Sequence, residues 1–314
     1  MVQVALGDDH TCARLIDGTL RCWGNNSNGR LGIGTTTNWS IPTMVGALST
    51  DVAQVALGAS HSCARLTDGT VHCWGYGYYG QLGDGTSSTS YLPVAVTALA
   101  TNVAEVSLGY QHSCARSTDG TLHCWGRNTY GQLGDGTTEH RYSPAQVTTL
   151  GSEVADISLA DDHSCARLTE GMLHCWGDNS FGQIGTGAVV SPQLTPALAA
   201  SLRCSCGDTV CGVSESPDSC PVDCRQASCG DGQCLPGETS IDCPEDCDIP
   251  RYDQIALSAQ QSCARAPGGT LHCWGRNADG QLGDGTTTHR SSPTPVTALS
   301  NEVATMALGD AASC

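Results

Sequence analysis

The chain has 314 residues, 20 cysteines and a formal charge of −17, and its 14 basic residues are all arginine. Without lysine there is no lysine nucleophile, Schiff base or Lys-based phosphate loop, and so large an acid excess argues against nucleic-acid or anionic-membrane partners, which need clustered positive charge. No apolar run reaches membrane-spanning length, so membrane insertion is not expected within this stretch.

The first predicted element is the strand VQVALG (2–7), which follows Met1 directly with no charged and apolar leader. A hairpin-like line comes next, HTCARLIDGTLRCWG (10–24), then the glycine-rich GRLGIG (29–34). The same pieces return as VAQVAL (52–57), HSCARLTDGTVHCWG (61–75), GQLGDGT (80–86) and PVAVTAL (93–99). Further copies of the cysteine line stand at 112–126, 163–177 and 261–275, with GQLGDGT at 131–137 and 280–286 and the variant GQIGTG at 182–187. The first cysteines, Cys12, Cys63, Cys114 and Cys165, are 51 residues apart; Cys263 follows after 98, and Cys314 after another 51. A fixed period of this length marks an array of supersecondary units that bury their apolar faces on one another. Strand-length segments between Gly, Asp, Asn and Ser clusters, with no sustained helical period, predict an all-β fold.

The hairpin register follows from its turn. If Thr67, Asp68 and Gly69 form a three-residue loop with Gly69 left-handed, Leu66 faces Thr70, Arg65 faces Val71, Ala64 faces His72, and Cys63 falls opposite Cys73. The closest cross-strand pairs come within disulfide range. The same reasoning pairs Cys12 with Cys22, Cys114 with Cys124, Cys165 with Cys175 and Cys263 with Cys273. A zinc site from His61, Cys63, His72 and Cys73 is the competing reading. Strand alternation sends His72 away from Cys73, and Arg21 and Gln261 replace histidines while the cysteines persist, so a disulfide is the simpler account. A redox-active thiol pair fits five equivalent copies less well. Trp23, Trp74, Trp125, Trp176 and Trp274 are expected to pack between units.

So many regularly spaced cysteines predict an oxidising, extracellular or cell-surface setting. With no leader ahead of the first unit, and with Cys314 standing as the first cysteine of a sixth hairpin, the chain reads as a piece of a longer exported polypeptide.

Between Cys165 and Cys263 the period is interrupted by 47 extra residues, which divides the chain into units one to four (1–202), a cysteine-rich insert (203–249) and unit five with the start of a sixth (250–314). The insert is itself a tandem repeat: CGDTVCGVSESPDSCPVDC (206–224) and CGDGQCLPGETSIDCPEDC (229–247) share their cysteine spacings. Modules this small need cross-links or ions to hold them, and the sequence does not choose among the disulfide connectivities. Asp208, Asp223, Asp231 and Asp246 recur in both halves and are candidate calcium ligands, solvated surface charge being the alternative; no other cofactor is expected. Cys204 has no counterpart in the second half, where Ala227 stands.

The line HSCARLTDGTLHCWG, followed by GQLGDGT and a Pro-Val stretch, resembles the regulator of chromosome condensation repeat, in the disulfide-bearing form common in secreted bacterial proteins. The resemblance covers everything but the insert. It implies a seven-bladed β-propeller with four-stranded blades, of which this chain would supply five units and the start of a sixth. The first and fourth units depart from the pattern at GRLGIG and GQIGTG, which puts the role of Asp84, Asp135 and Asp284 in doubt.

The common thread of that family is protein binding, and the expected function is a non-catalytic recognition module whose propeller-face loops grip a protein partner. A passive surface protein is the alternative, and guanine-nucleotide exchange is implied by the family name alone. The residues after CWG vary between units while their surroundings hold, which singles out Tyr76, Tyr78, Tyr79, Arg127, Tyr130, Phe181 and Arg276 as binding candidates, since aromatics and arginine are favoured interface anchors. Packing of these rings against the neighbouring unit is the other reading.

Overall fold

A computed structural model describes residues 3–48, 50–199, 250–299, 303–306 and 308. The cysteine-rich insert with its candidate calcium ligands, Cys204 and Cys314 lie outside these residues.

Among the described residues twenty strands form five antiparallel sheets of four, each a meander in chain order. Blade 1 holds β1 (Gln3–Leu6), β2 (His10–Arg14), β3 (Leu20–Gly24) and β4 (Trp39–Met44); blade 2 holds β5 (Val52–Leu57), β6 (His61–Leu66), β7 (Val71–Gly75) and β8 (Ser90–Ala95). In blade 3 the strands are β9 (Val103–Leu108), β10 (His112–Ser117), β11 (Leu122–Gly126) and β12 (Arg141–Gln146). Blade 4 comprises β13 (Val154–Leu159), β14 (His163–Leu168), β15 (Leu173–Gly177) and β16 (Gln193–Leu198), and blade 5 β17 (Gln254–Ser258), β18 (Gln261–Arg265), β19 (Leu271–Gly275) and β20 (Arg290–Pro295). The first strand of each blade lies innermost, against the first strand of the next. The fold is the all-β propeller architecture that the repeat implies. Val303 N donates to Gly269 O just as Val103 N does to Gly69 O, so a sixth unit starts in register with the others.

The central hairpin has the register its turn dictates: Cys63 opposite Cys73, Ala64 opposite His72, Arg65 opposite Val71, with Leu66 N donating to Thr70 O at 2.8 Å. Asp68 Oδ1 accepts from both Thr70 N and Thr70 Oγ1, and Gly69 has φ +82°. A side chain there would also collide with the Thr101 carbonyl, at 2.1 Å. Each blade carries the matching disulfide, Cys12–Cys22, Cys63–Cys73, Cys114–Cys124, Cys165–Cys175 and Cys263–Cys273. A closed ring of this size stabilises by about 2.8 kcal/mol in the chain-entropy treatment.

Packing between blades repeats one device. Trp74 is fully buried, and its Nε1 donates to the Arg30 carbonyl of the preceding blade at 2.8 Å. Trp125, Trp176 and Trp274 do the same to Gln81, Gln132 and Gln183. Gly83 lets this happen: a Cβ would stand 2.7 Å from Trp125 Nε1. Trp23 has no preceding blade among the described residues and is half-buried. The histidine that opens the second strand of blades 1 to 4 is part of the same seam. His61 Nε2 lies 2.9 Å from Ser113 Oγ of the next blade, and that hydroxyl donates to Gln81 O, so the carbonyl that receives the Trp125 indole receives the serine as well. Its one proton being spent there, the serine accepts from His61 Nε2–H.

Nearer the axis Gln3 clamps the next inner strand, Nε2 to Val55 O and Oε1 from Val55 N, and Gln54 does so to Val106. In blade 3 Glu105 takes that place and pairs with Arg116 at 3.1 Å.

Candidate functional site

Alternating strand direction puts the loops β1–β2 and β3–β4, and their counterparts in every blade, on one side of the ring. This is the upper face; the Asp-Gly hairpin turns and the blade-to-blade connections lie on the lower one. Around the axis the upper face sinks into a depression of about 460 Å³, lined by Leu6, Leu57, Leu108, Leu159 and Leu257 near the upper ends of the inner strands.

The long loop after the third strand is held rigidly. In blade 3 the buried Asn128 donates from Nδ2 to Thr137 O and Glu139 O, and its Oδ1 accepts from Leu133 N. Asn26, Asn179 and Asn277 hold their loops in the same way. Asp135 Oδ1 accepts from Thr137 N and Oγ1 while Arg141 pairs with the carboxylate, and Asp284 repeats this with Thr286 and Arg290. The aspartate of GQLGDGT therefore closes a turn. In blade 2 Gly77 replaces the asparagine, in the run Tyr76-Gly77-Tyr78-Tyr79.

Five of the seven candidate residues come together on this face. The rings of Tyr76 and Tyr78 stack with centroids 6.4 Å apart, and Tyr78 meets Tyr79 edge to face at 5.1 Å. Arg127, from the next blade, sits between two rings, its guanidinium carbon 5.9 Å from the Tyr79 centroid and 5.5 Å from that of Tyr130. Its Nη1 reaches Asp162 Oδ1 of the blade beyond at 3.0 Å, an oxygen that also accepts from Gln132 Nε2. Burial raises the Asp162 carboxyl, with Arg127 working against it; burial, then Tyr79 and Tyr78, raise the Tyr76 hydroxyl. Tyr78 is 61% exposed and Tyr130 37%.

The packing reading holds for two of these rings. Tyr79 packs edge-on against His140 of the next blade at 5.1 Å, and Phe181 packs on His289 at 5.3 Å. Phe181 and Arg276 lie on later blades, away from the tyrosine cluster; Arg276 makes 3.4 Å contacts with Gln260 and Asp279. Asp162 and His140 complete the cluster but lie outside the variable positions after CWG. Asp162 belongs to the short loop between first and second strands, where the units read Asp9, Ser60, Gln111, Asp162 and Gln260, as variable as the segment that was singled out. His10, His61, His112 and His163 serve as the blade seams, and among the described residues no group of three or more His, Cys, Asp or Glu is placed to hold a metal ion.

Rings of four-stranded meanders with variable loops gathered on one face define a propeller-type interaction module. The profile of the RCC1-like domain matches residues 1–314, and the chain belongs to that family. It is 29% identical over 301 residues to the ultraviolet-B receptor UVR8 of Arabidopsis thaliana, covering 95% of this chain and 58% of the receptor. It is 30% identical over 319 residues to the human E3 ubiquitin-protein ligase HERC2, covering 96% of this chain and 6% of the ligase. Among solved structures, human WBSCR16 superposes with a TM-score of 0.70 at 22% identity, covering 94% of this chain and 67% of that one. Yeast RCC1 (Prp20), bound to Kap60, superposes with a TM-score of 0.69 at 18% identity, covering 94% and 60%. The chain thus spans little more than half of the receptor and a small fraction of the ligase.

Proposed function

We propose that this chain is a non-catalytic recognition module that grips a protein partner with its upper face, in an extracellular or cell-surface setting. The observation that carries the reading is the cluster of Tyr76, Tyr78, Tyr79, Arg127 and Tyr130, in which exposed and half-buried rings are held in place by one another and by the half-buried Arg127–Asp162 pair before any partner arrives. Such preorganised aromatic and arginine anchors lower the entropy cost of association. Family membership supports it: yeast RCC1 is captured with Kap60 and is described by its binding to Gsp1p and histones. Five disulfides among the described residues are compatible with an oxidising compartment. The formal charge of −17 favours a partner other than nucleic acid. In this reading the stretch 203–249 is a separate module set between blades 4 and 5, a second contact or a spacer.

The test is affinity capture from secreted and surface proteins of the source cells, with the chain and its Tyr78→Ala, Tyr130→Ala double variant side by side. A partner kept by the first and lost by the second is the expected result. A partner kept by both moves the site elsewhere, and no partner at all favours passive surface architecture.

A further inference from the structure

Two depressions on the upper face share a wall. The axial one and a second cavity of about 280 Å³ beside it are both lined by Asp8, Ala59 and Tyr110. They differ in kind. Leu6, Leu57, Leu108, Leu159 and Leu257 give the axial depression apolar sides, and Leu6 is 74% exposed there. The side cavity is polar, with Asp8, Asp9, Arg30 and Gln111 around Tyr76 and Tyr110. Carboxylates dominate the rim. The short loops between first and second strands, which ring the axis, carry Asp8 and Asp9 in blade 1 and Asp161 and Asp162 in blade 4, and no arginine in any described blade. Only Arg30 and Arg127 stand against them from the long loops nearby. Arg30, its side chain 8% exposed, donates to Ala59 O and lies 3.7 Å from the 64% exposed Asp9, while Arg127 pairs with Asp162 at 3.0 Å. The balance is negative, and a concave surface lined mainly by one sign of charge focuses its field on whatever enters. Tyr110, 40% exposed, and Tyr76 add ring faces that attract a cation, as Tyr79 and Tyr130 already do for Arg127.

Three kinds of partner loop can be weighed against this pair of walls. An acidic loop would be repelled by Asp8, Asp9 and Asp161. A purely apolar loop would fill the axial depression but cover the carboxylates at its rim without pairing them, which is costly. A loop with an apolar side chain beside a basic one meets both walls on their own terms. We propose that the two depressions together take a loop of a protein partner in which a large aliphatic or aromatic side chain enters the axial depression and a neighbouring lysine or arginine lies in the side cavity, against Asp8, Asp9 and the Tyr110 ring. The inference rests on the upper face being the recognition face and names the chemistry of the partner it reads. Tyr76 joins this site to the tyrosine cluster, since it lines the side cavity and stacks on Tyr78.

Panning a phage-displayed library of disulfide-looped random heptapeptides on the intact chain, followed by fluorescence-anisotropy titration of the enriched peptides, tests it. Enriched sequences are expected to place a large aliphatic or aromatic residue within a few positions of a lysine or arginine. Their affinity should fall about tenfold in Leu6→Ser and in the Asp8→Ala, Asp9→Ser double variant, and stay unchanged in Glu153→Gln, which removes a charge from the lower face. Asp8→Ala and Asp9→Ser install what blade 2 carries at the same places, Ala59 and Ser60, and Leu6 is largely exposed, so the fold is expected to survive these changes. Enrichment of acidic or uncharged sequences overturns the proposal. So does failure to enrich any sequence, or enriched peptides whose affinity the Leu6 and aspartate variants leave untouched. A protein captured by the chain and lost with Tyr78→Ala, Tyr130→Ala, yet kept by the combined Leu6→Ser, Asp8→Ala, Asp9→Ser variant, contradicts this inference alone. Basic-apolar peptides that these variants weaken, on a chain that captures no protein, contradict the recognition reading and leave the chemistry of the face as stated.

Discussion

His163 Nε2 stands 3.0 Å from the Ser262 hydroxyl across 99 residues of chain, the contact that His10, His61 and His112 make to serines 52 residues on. Ser262 then donates to Gln183 O at 2.8 Å, as Ser113 does to Gln81 O at 2.9 Å. The additional residues between blades 4 and 5 leave the seam as it is elsewhere, in keeping with the small entropy cost of lengthening a loop.

Removing one hydroxyl from such a seam strands two buried polar groups, the histidine N–H and one lone pair of the carbonyl. Ser113→Ala is expected to cost about 1–3 kcal/mol. Because an array of repeats opens locally, the loss should appear first as faster amide exchange in blades 2 and 3, read by hydrogen-exchange mass spectrometry. Unchanged exchange there would show that the seam is held by Trp125 alone.

Stability should fall with acid in a defined window. Burial pulls the imidazoles of His10, His61 and His112 down to about 3 and that of His163 to about 4. The unfolded chain takes up these protons near the ordinary value of 6.5 while the fold refuses them. Stability is therefore fully present above pH 6.5 and declines as pH falls toward the folded values, by about 1.4 kcal/mol per unit for each histidine. Glu105 acts in the opposite direction: burial, then the neighbouring Asp156, raise its carboxyl to about 7, so its contribution is lost as pH rises through that region. Four histidines outweigh one glutamate, and melting temperature should drop steadily between pH 6.5 and 4. Replacing all four with glutamine, the residue blade 5 uses at Gln261, should flatten the profile.

Arg127→Lys keeps the charge and loses the planar group that lies between Tyr79 and Tyr130 and pairs with Asp162. A lysine is a point charge without the flat face. The expected effect is a loss of about 0.5–1 kcal/mol of local stability and a changed near-ultraviolet circular dichroism signal from the tyrosines, with the disulfides and far-ultraviolet spectrum intact. An unaltered tyrosine signal would mean that the rings hold one another without the guanidinium.

Much of the architecture could be read from residue order, because the forces that set it are local. The left-handed Gly69, the Asp68 turn and the two-residue alternation of β6 and β7 fix which residue faces Cys63, and all lie within fifteen positions of one another. The propeller followed from the motif HSCARLTDGT with CWG and GQLGDGT. The seam did not, since the hydroxyl that His61 needs belongs to a serine 52 residues away and only the ring brings them together. The candidate site divides along the same line. Tyr76 to Tyr130 stand out because they vary inside a repeated frame. Asp162 and His140 come from other loops, and their part in the cluster depends on which blades are neighbours.

One carbonyl per junction, Arg30, Gln81, Gln132 or Gln183, receives both an indole and a hydroxyl from the following blade. Since every joint uses the same lock and key, a whole 51-residue block can be duplicated or deleted in a gene without inventing a new fit. Lineages carrying this chain would then be free to change what they recognise by shuffling blocks, each bringing its own upper loop as a finished piece.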